Sequence, residues 1–145
     1  MNFLLQLRLI WLAFSLRGRR PVAAADPLCR YLTSPRWLDK KSGHVKPQAF
    51  KLRNTESTLS VYRIGGVRLA RVWRIGRAIA SGSREGVLHG RADFRAQDAL
   101  DLNLGFRLGR IPSLHLEIGY GPSKAEQIHI AEQLAAKATL VAEPF

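Results

Sequence analysis

Residues 113–138 read SLHLEIGYGPSKAEQIHIAEQLAAKA, and this stretch indicates the fold class. Its first six residues alternate between polar and apolar types, which is the period of a half-buried strand with an apolar face of Leu114, Leu116 and Ile118. Ser123 and Glu126, directly after Pro122, have the spacing of an N-terminal capping box. A helix of about 16 to 18 residues is predicted from there, because apolar residues recur at helical spacing: Ile128, Ala131, Leu134, Ala135 and Ala138.

The preceding residues add further strands and one ambiguous segment. Residues 58–64 and 87–95 alternate clearly enough to predict two strands, and 103–108 predicts a third. Residues 67–80 fit a helix or a strand, and the helix is favoured; residues 97–101 are predicted to form a turn or short helix. We therefore expect an α+β fold, with a small, mainly antiparallel sheet packed against the C-terminal amphipathic helix and a basic helical extension at the N-terminus.

The chain divides into three predicted parts: an apolar and basic extension at 1–25, an irregular wrap rich in proline and lysine at 26–57, and the core domain at 58–145. The wrap is expected to hold at most one short helix, around 28–37. Residues 2–16 are apolar, but 15 residues are too few for a comfortable transmembrane helix. Four alternatives stay open for the extension: a cleaved signal peptide, a helix on a membrane surface or partner, a helix packed on the domain, and a poorly ordered extension.

Composition narrows the class of protein. A chain of 145 residues, with 46% hydrophobic and 23% charged residues, fits one globular core and excludes disordered, collagen-like and disulfide-framework proteins. The single cysteine, Cys29, excludes an intrachain disulfide and a cysteine-type zinc site. Four scattered histidines predict no metal site, and no cofactor is expected. A cytoplasmic location, with possible attachment at the membrane periphery, is compatible with this cysteine content.

Positive charge is concentrated in the first part of the chain. Through residue 90 there are 17 Lys and Arg against 4 Asp and Glu, whereas the remainder has 6 against 7. Guanidinium groups bind phosphate oxygens well and aromatic rings can stack on bases, so this run predicts binding to DNA, RNA or another polyanion. A solvated face or an acidic protein partner explains the same charges. The predicted contact residues are Arg63, Arg68, Arg71, Arg74, Arg77, Arg84, Lys40, Lys41, Lys46, Tyr62 and Trp73.

A second candidate set suits acid/base chemistry. His89, Arg91 and Asp93 share the polar face of one predicted strand, and His115 and Glu117 share that of another. If the two strands were neighbours, a histidine held by a carboxylate would work as a general base beside a phosphate-binding arginine. The alternative is the wet side of an antiparallel sheet with cross-strand charge pairs.

A third candidate lies between the last predicted strand and helix. Gly119, Gly121, Ser123 and Lys124 would combine free helix N-terminal amides, close backbone approach, a hydroxyl and an ammonium group around a phosphate. The segment lacks the Gly-Lys-Ser/Thr ending of a P-loop. A tight turn followed by a capped helix accounts for the same residues.

Several short segments together carry a resemblance. VKPQAF at 45–50, LSVYR at 59–63, GRAD at 90–93, then His115 to Lys124 and an Ala/Leu-rich closing helix resemble a diffuse group of small bacterial proteins. The resemblance covers about residues 45–140 and implies no particular activity. It implies that the regions of Phe50, Arg63, His115 and Lys124 belong to one unit, with residues 1–25 outside it.

These observations favour a nucleic-acid-binding accessory factor that contacts phosphates with little sequence readout. Two alternatives remain open at this point. One is a nucleotide- or phosphodiester-processing enzyme that uses His115 with Glu117 or Asp93. The other is a module that docks on a membrane surface or a protein partner through residues 1–20.

Overall fold

The computed structural model describes residues 21–109 and 114–144. The interpretations of residues 1–20 as a targeting, membrane-surface or packed helix therefore concern residues outside the described ranges. In the described part, a mainly antiparallel sheet lies between helices, which confirms the α+β class.

The main sheet has six strands: β1 (Pro27–Tyr31), β4 (Thr58–Arg63), β5 (Arg91–Arg95), β6 (Gly105–Leu108), β7 (His115–Gly119) and β8 (Thr139–Val141). Their order across the sheet is β6-β7-β4-β1-β5-β8, and every neighbouring pair is antiparallel. The helices are α1 (Leu69–Ser81), α2 (Ala96–Leu100) and α3 (Lys124–Lys137). A small hairpin of β2 (Leu38–Asp39) and β3 (His44–Val45) lies between two 3-10 turns, Pro35–Trp37 and Pro47–Phe50.

Both faces of the sheet are covered, because alternate residues of each strand point to opposite sides. One face packs on α3 and the second 3-10 turn, through Leu28, Leu59, Val61, Phe94, Leu116 and Ile118. The other face packs on α1, through Cys29, Tyr31 and Tyr62. The protein thus has three layers, with α1 and α3 on opposite sides of the sheet.

The C-terminal helix forms where the capping signature predicts it. The Ser123 hydroxyl accepts a hydrogen bond from the Glu126 N–H at 3.4 Å, and the helix runs for 14 residues. Its predicted apolar face was wrong in one place: Ile128 is 48% exposed, and Ile130 is buried instead. The helix ends at Lys137 because Thr139–Val141 pairs with the edge of β5 as β8, a strand that the sequence reading did not predict.

The expectation of an irregular wrap from residue 26 was wrong. β1 spans Pro27–Tyr31 in the middle of the sheet, so the sheet begins there and not near Thr58. The predicted short helix at 28–37 is this strand followed by a 3-10 turn. Helices cover both faces of β1, and Cys29 and Leu28 are both fully buried, so the alternation typical of a half-exposed strand is absent from its sequence.

The strand predicted for 87–95 is confirmed only from Arg91 onward. Gly90 has a φ of +132°, a conformation that L side chains rarely adopt, and a Cβ there would lie 2.8 Å from the Val141 carbonyl oxygen. The chain enters β5 through this glycine, while the N–H of His89 bonds to the carbonyl of Leu32.

The ambiguous segment 67–80 is the helix α1. It lies close to β1: the Tyr31 hydroxyl donates to the Val72 carbonyl at 2.6 Å, and the Tyr31 ring lies against Gly76. Val72, Trp73, Gly76 and Ala80 form its buried side. The arginines of α1 are left on the outward side.

Candidate nucleic-acid interface and a groove between diverging strands

The outward side of α1 carries a series of exposed arginines. Arg68 precedes the helix, and Arg71, Arg74 and Arg77 follow at three-residue intervals. Each interval advances about 4.5 Å along a helix, so the four positions span about 14 Å. Arg84 is exposed in the turn that follows. We call these five residues the α1 arginine surface: Arg68, Arg71, Arg74, Arg77 and Arg84.

This surface has few carboxylates of its own. The sequence of α1, LARVWRIGRAIAS, contains no Asp or Glu. Among the described residues, Glu143 forms an ion pair with Arg77, and the structure gives no such partner to Arg71 or Arg74. The surface therefore presents a net positive charge to solvent.

Three predicted contact residues are buried and do not belong to this surface. Arg63 is 6% exposed, and its Nη1 atom lies 3.5 Å from a carboxylate oxygen of Asp26. Tyr62 packs between Tyr31 and His115, with ring centroids 5.2 and 5.1 Å away. Trp73 is 3% exposed and lies under the guanidinium of Arg91. The prediction that these three residues contact phosphates and bases was wrong.

The predicted lysine contacts lie elsewhere on the molecule. Lys40 and Lys41 are exposed in the turn of the β2–β3 hairpin, and exposed Lys46 precedes the second 3-10 turn. β3 packs against α3 and β8, on the side of the sheet opposite α1. The structure does not join these lysines to the α1 arginine surface.

The two histidine strands are not neighbours. β4 and β1 lie between β7 and β5, so about 14 Å separates the two strands at ordinary strand spacing. His89 precedes β5, and its Nε2 lies 3.8 Å from Glu85. The arrangement in which His115 would share a site with His89 or Asp93 was wrong.

His115 is partly buried. It stacks on Tyr62, and its Nε2 is buried with no hydrogen bond to a described residue. Burial lowers the pKa of His115, while Glu117 acts in the opposite direction. The Glu117 carboxylate accepts from the Arg107 guanidinium at 2.6 Å and is therefore engaged by the edge strand β6. His115 and Glu117 share a sheet face, but among the described residues the Glu117 carboxylate bonds to Arg107 and not to His115.

Arg91 and Asp93 also bond to each other. The Nε of Arg91 donates to Asp93 at 2.8 Å, and its guanidinium lies 4.8 Å from the centre of the Trp73 ring. Burial raises the pKa of Asp93, and Arg91 opposes this shift. Arg91 therefore lies against Trp73 of α1 and is paired with Asp93 of its own strand.

The loop before α3 uses its polar groups internally. Ser123 caps the helix, the Gln127 side chain donates to the Gly121 carbonyl at 2.7 Å, and Lys124 donates to Asn54 at 3.5 Å. A Cβ on Gly121 would lie 3.4 Å from a Glu126 carboxylate oxygen. Gly119 pairs with Thr58 and Gly105 across the sheet. These contacts describe a capped helix, with a carboxylate already near its N-terminus.

A groove opens where β1 and β4 diverge. Their ladder consists of two residue pairs, Leu28 with Arg63 and Cys29 with Tyr62, and no further residue pair forms beyond Cys29. The groove has a volume of about 630 Å³ and is lined by residues from both sides of the sheet. Lys51 contributes from the side of α3, and Ser83 contributes from the turn after α1.

Arg30 forms part of this groove, and the sequence reading missed it. Its Nε donates to the Ala49 carbonyl at 2.9 Å, and its Nη1 reaches across the gap to the Ser60 carbonyl at 3.0 Å. The guanidinium also lies 5.0 Å from the centre of the Trp37 ring. The available signal was a single arginine between Leu28 and Leu32, at a position where strand periodicity predicts an inward-facing apolar side chain.

Within 21–109 and 114–144, no three His, Cys, Asp or Glu residues are grouped as a metal ion would need. No helix in these ranges has the length and apolarity to span a bilayer. Comparison with protein-family models, curated proteins and solved structures finds no match.

Proposed function

We propose that the protein binds nucleic acid through the α1 arginine surface, by contacts to phosphates with little sequence readout. The observation that carries this proposal is the regular series of exposed arginines on a helix whose sequence contains no carboxylate. Phosphate contacts fix a protein on a nucleic acid without reading its bases.

The arrangement is unfavourable for the free protein, and an anion would relieve it. Like charges three or four residues apart on a helix destabilise it, by about 0.2–0.5 kcal/mol a pair. Arg68 and Arg71 also lie at the N-terminal end of α1, where the helix dipole repels cations, and no acidic residue occupies its first turn. A phosphate backbone would neutralise both effects at once.

The buried aromatic rings support weak sequence readout. Trp73 and Tyr62 are closed off in the interior, so neither offers a platform on which an unpaired base would stack. Affinity would then come from charge neutralisation and counterion release. It would fall steeply with added salt and differ little between sequences of equal length.

The test is a salt titration with a matched variant. Fluorescence anisotropy with a labelled mixed-sequence oligonucleotide gives the affinity between about 50 and 200 mM salt. The plot of log affinity against log salt has a negative slope, and the double variant Arg71→Ala/Arg74→Ala is expected to make it less steep by about 2. The reason is that about one counterion is released per phosphate contact, and the variant loses two contacts. The control is Arg36→Ala, which removes an exposed arginine from a 3-10 turn outside the α1 arginine surface.

Two results would refute the proposal. One is an affinity that stays constant across this salt range. The other is a double variant that binds as tightly, and with the same slope, as the Arg36→Ala control.

A further inference from the structure

We propose that the groove between β1 and β4 binds the phosphate group of an organic phosphate monoester, with Arg30 as the anchoring cation. The groove and the α1 arginine surface use different residues, so this proposal does not depend on the proposed function. The phosphate would belong either to a small molecule or to the end of a nucleic-acid chain.

The charge of Arg30 is poorly compensated by the protein itself. Its two hydrogen bonds go to the neutral carbonyl oxygens of Ala49 and Ser60, and no carboxylate of the described residues forms an ion pair with it. Burial lowers the pKa of the Arg30 guanidinium, with Glu56 among the groups that oppose the shift. Arg30 is half-buried, and removing a cation from water without a paired anion is costly, so an anion bound in the groove would reduce this cost.

The guanidinium has donors to spare. Five N–H groups surround the planar fork, and the two hydrogen bonds of Arg30 engage Nε and Nη1. The Nη2 group donates to none of the described residues. Since Nε and Nη1 are held in place, the fork is fixed before a ligand arrives, and little side-chain entropy is lost on binding.

Further cations line the groove and favour phosphate over a singly charged anion. Lys51 is exposed there, and Arg53 has a side chain 79% exposed that approaches Glu56 only at 3.9 Å. The lining also contains Glu56 and Glu117, but the Glu117 carboxylate is bound by Arg107 at 2.6 Å. Arg30, Lys51 and Arg53 together suit a dianion.

The size of the groove indicates more than a free phosphate ion. Its volume of about 630 Å³ lies within the range of about 300–1,000 Å³ that is usual for small-molecule sites. Thr58 and Ser60 are among the lining residues, and hydroxyl groups of this kind can supply donors and acceptors for the body of the ligand. We therefore expect the phosphate to be carried by a polar organic group.

Phenyl phosphate is the probe for a small-molecule source, followed by amide chemical shifts of the full chain, with sulfate at equal ionic strength as the reference. Saturable shifts of amides around Arg30, Lys51 and Ser60 are expected with phenyl phosphate. Arg30→Gln is expected to weaken binding at least about tenfold, which corresponds to about 1.4 kcal/mol. Because that variant also loses the bond across the strand gap, Lys51→Ala is the second variant and is expected to weaken binding about threefold or more without altering the fold.

Controls separate this site from the proposed function. Lys40→Ala removes an exposed lysine outside the groove and is expected to bind phenyl phosphate as the wild type does. Arg71→Ala/Arg74→Ala is also expected to leave phenyl phosphate binding unchanged. Loss of oligonucleotide binding in that double variant, with phenyl phosphate binding intact, would support both proposals separately.

Oligonucleotides with a 5′-phosphate or a 5′-hydroxyl identify the source of the group. A preference for the phosphorylated end that disappears in Lys51→Ala would assign the groove to a chain end, while phenyl phosphate binding without that preference would assign it to a small molecule. The proposal is overturned if neither probe binds saturably, or if Lys51→Ala and Lys40→Ala bind both probes equally well.

Discussion

Replacing Gly76 with alanine is expected to destabilise the protein, although alanine is the better helix former. A Cβ at this position would lie 2.6 and 2.7 Å from two ring carbons of Tyr31 and 3.1 Å from Leu88. Ordinary carbon contacts are about 3.5–4.0 Å, so the Tyr31 ring must move by about 1 Å. Tyr31 is 3% exposed, its ring packs on Tyr62, and its hydroxyl donates to the Val72 carbonyl at 2.6 Å, so the ring has little room to move.

The expected change in the free energy of unfolding combines two destabilising contributions and one stabilising contribution. Overpacking a core costs about 1–3 kcal/mol, and weakening the Tyr31 hydrogen bond costs about 1 kcal/mol more. Alanine returns about 1 kcal/mol in helix propensity. We expect a net loss of about 1–3 kcal/mol in the free energy of unfolding, which lowers Tm by about 2–4 °C for each kcal/mol.

Urea denaturation followed by circular dichroism measures this loss. Gly82→Ala is the matched control, because its Cβ would meet the Ile79 carbonyl oxygen at an ordinary 3.6 Å and its φ is −87°. That control should change stability by less than about 0.5 kcal/mol. In a Tyr31→Leu background, Gly76→Ala should cost less, since the clashing ring is gone. A Gly76→Ala protein as stable as the wild type would refute the reasoning.

Two further predictions concern titratable groups. Burial lowers the pKa of His115 in the folded protein, so unfolding takes up a proton in mildly acidic solution. The folded protein is therefore fully stable, as far as His115 is concerned, above the pKa of the unfolded chain, which is about 6.5. It loses this stability as the pH falls from there through the lower pKa of the folded protein. Unfolding free energies between about pH 7.5 and 5 should show this slope in the wild type and in the exposed control His129→Gln, and a smaller slope in His115→Gln; equal slopes would contradict it. Burial also raises the pKa of Cys29 to about 12, so iodoacetamide at about pH 8 should alkylate the urea-unfolded chain and spare the native one; fast native alkylation would contradict this.

The elements with one buried face were predictable from sequence. β7, α3 and the first four residues of β4 are buried on one side only, so their periodicities report the core directly, and the Ser123 cap marks where α3 begins. β1 was not predictable in this way, because helices cover both of its faces and its inward position 30 holds an arginine. β8 is three residues long, and its pairing with β5 depends on a sequence-distant partner.

The candidate interface was only partly predictable for a similar reason. Charge counts identified the arginines of α1, but they do not distinguish an exposed arginine such as Arg74 from a buried one such as Arg63. His115 and His89 are kept apart by the order of the strands in the sheet. Strand order depends on long-range pairing, so local sequence patterns do not predict it. Arg30 gains its significance from the divergence of β1 and β4, which only the assembled sheet shows.

The central place of β1 also has a kinetic consequence. Cys29 pairs with Tyr62, 33 residues later in the chain, and with Asp93, 64 residues later. During synthesis, this strand leaves the ribosome well before either partner strand, so its apolar side chains stay exposed until the partners are made. We expect refolding to be slow for a domain of this size, because β1 pairs with β4 and β5 only after the two long chain segments between these strands have formed closed loops.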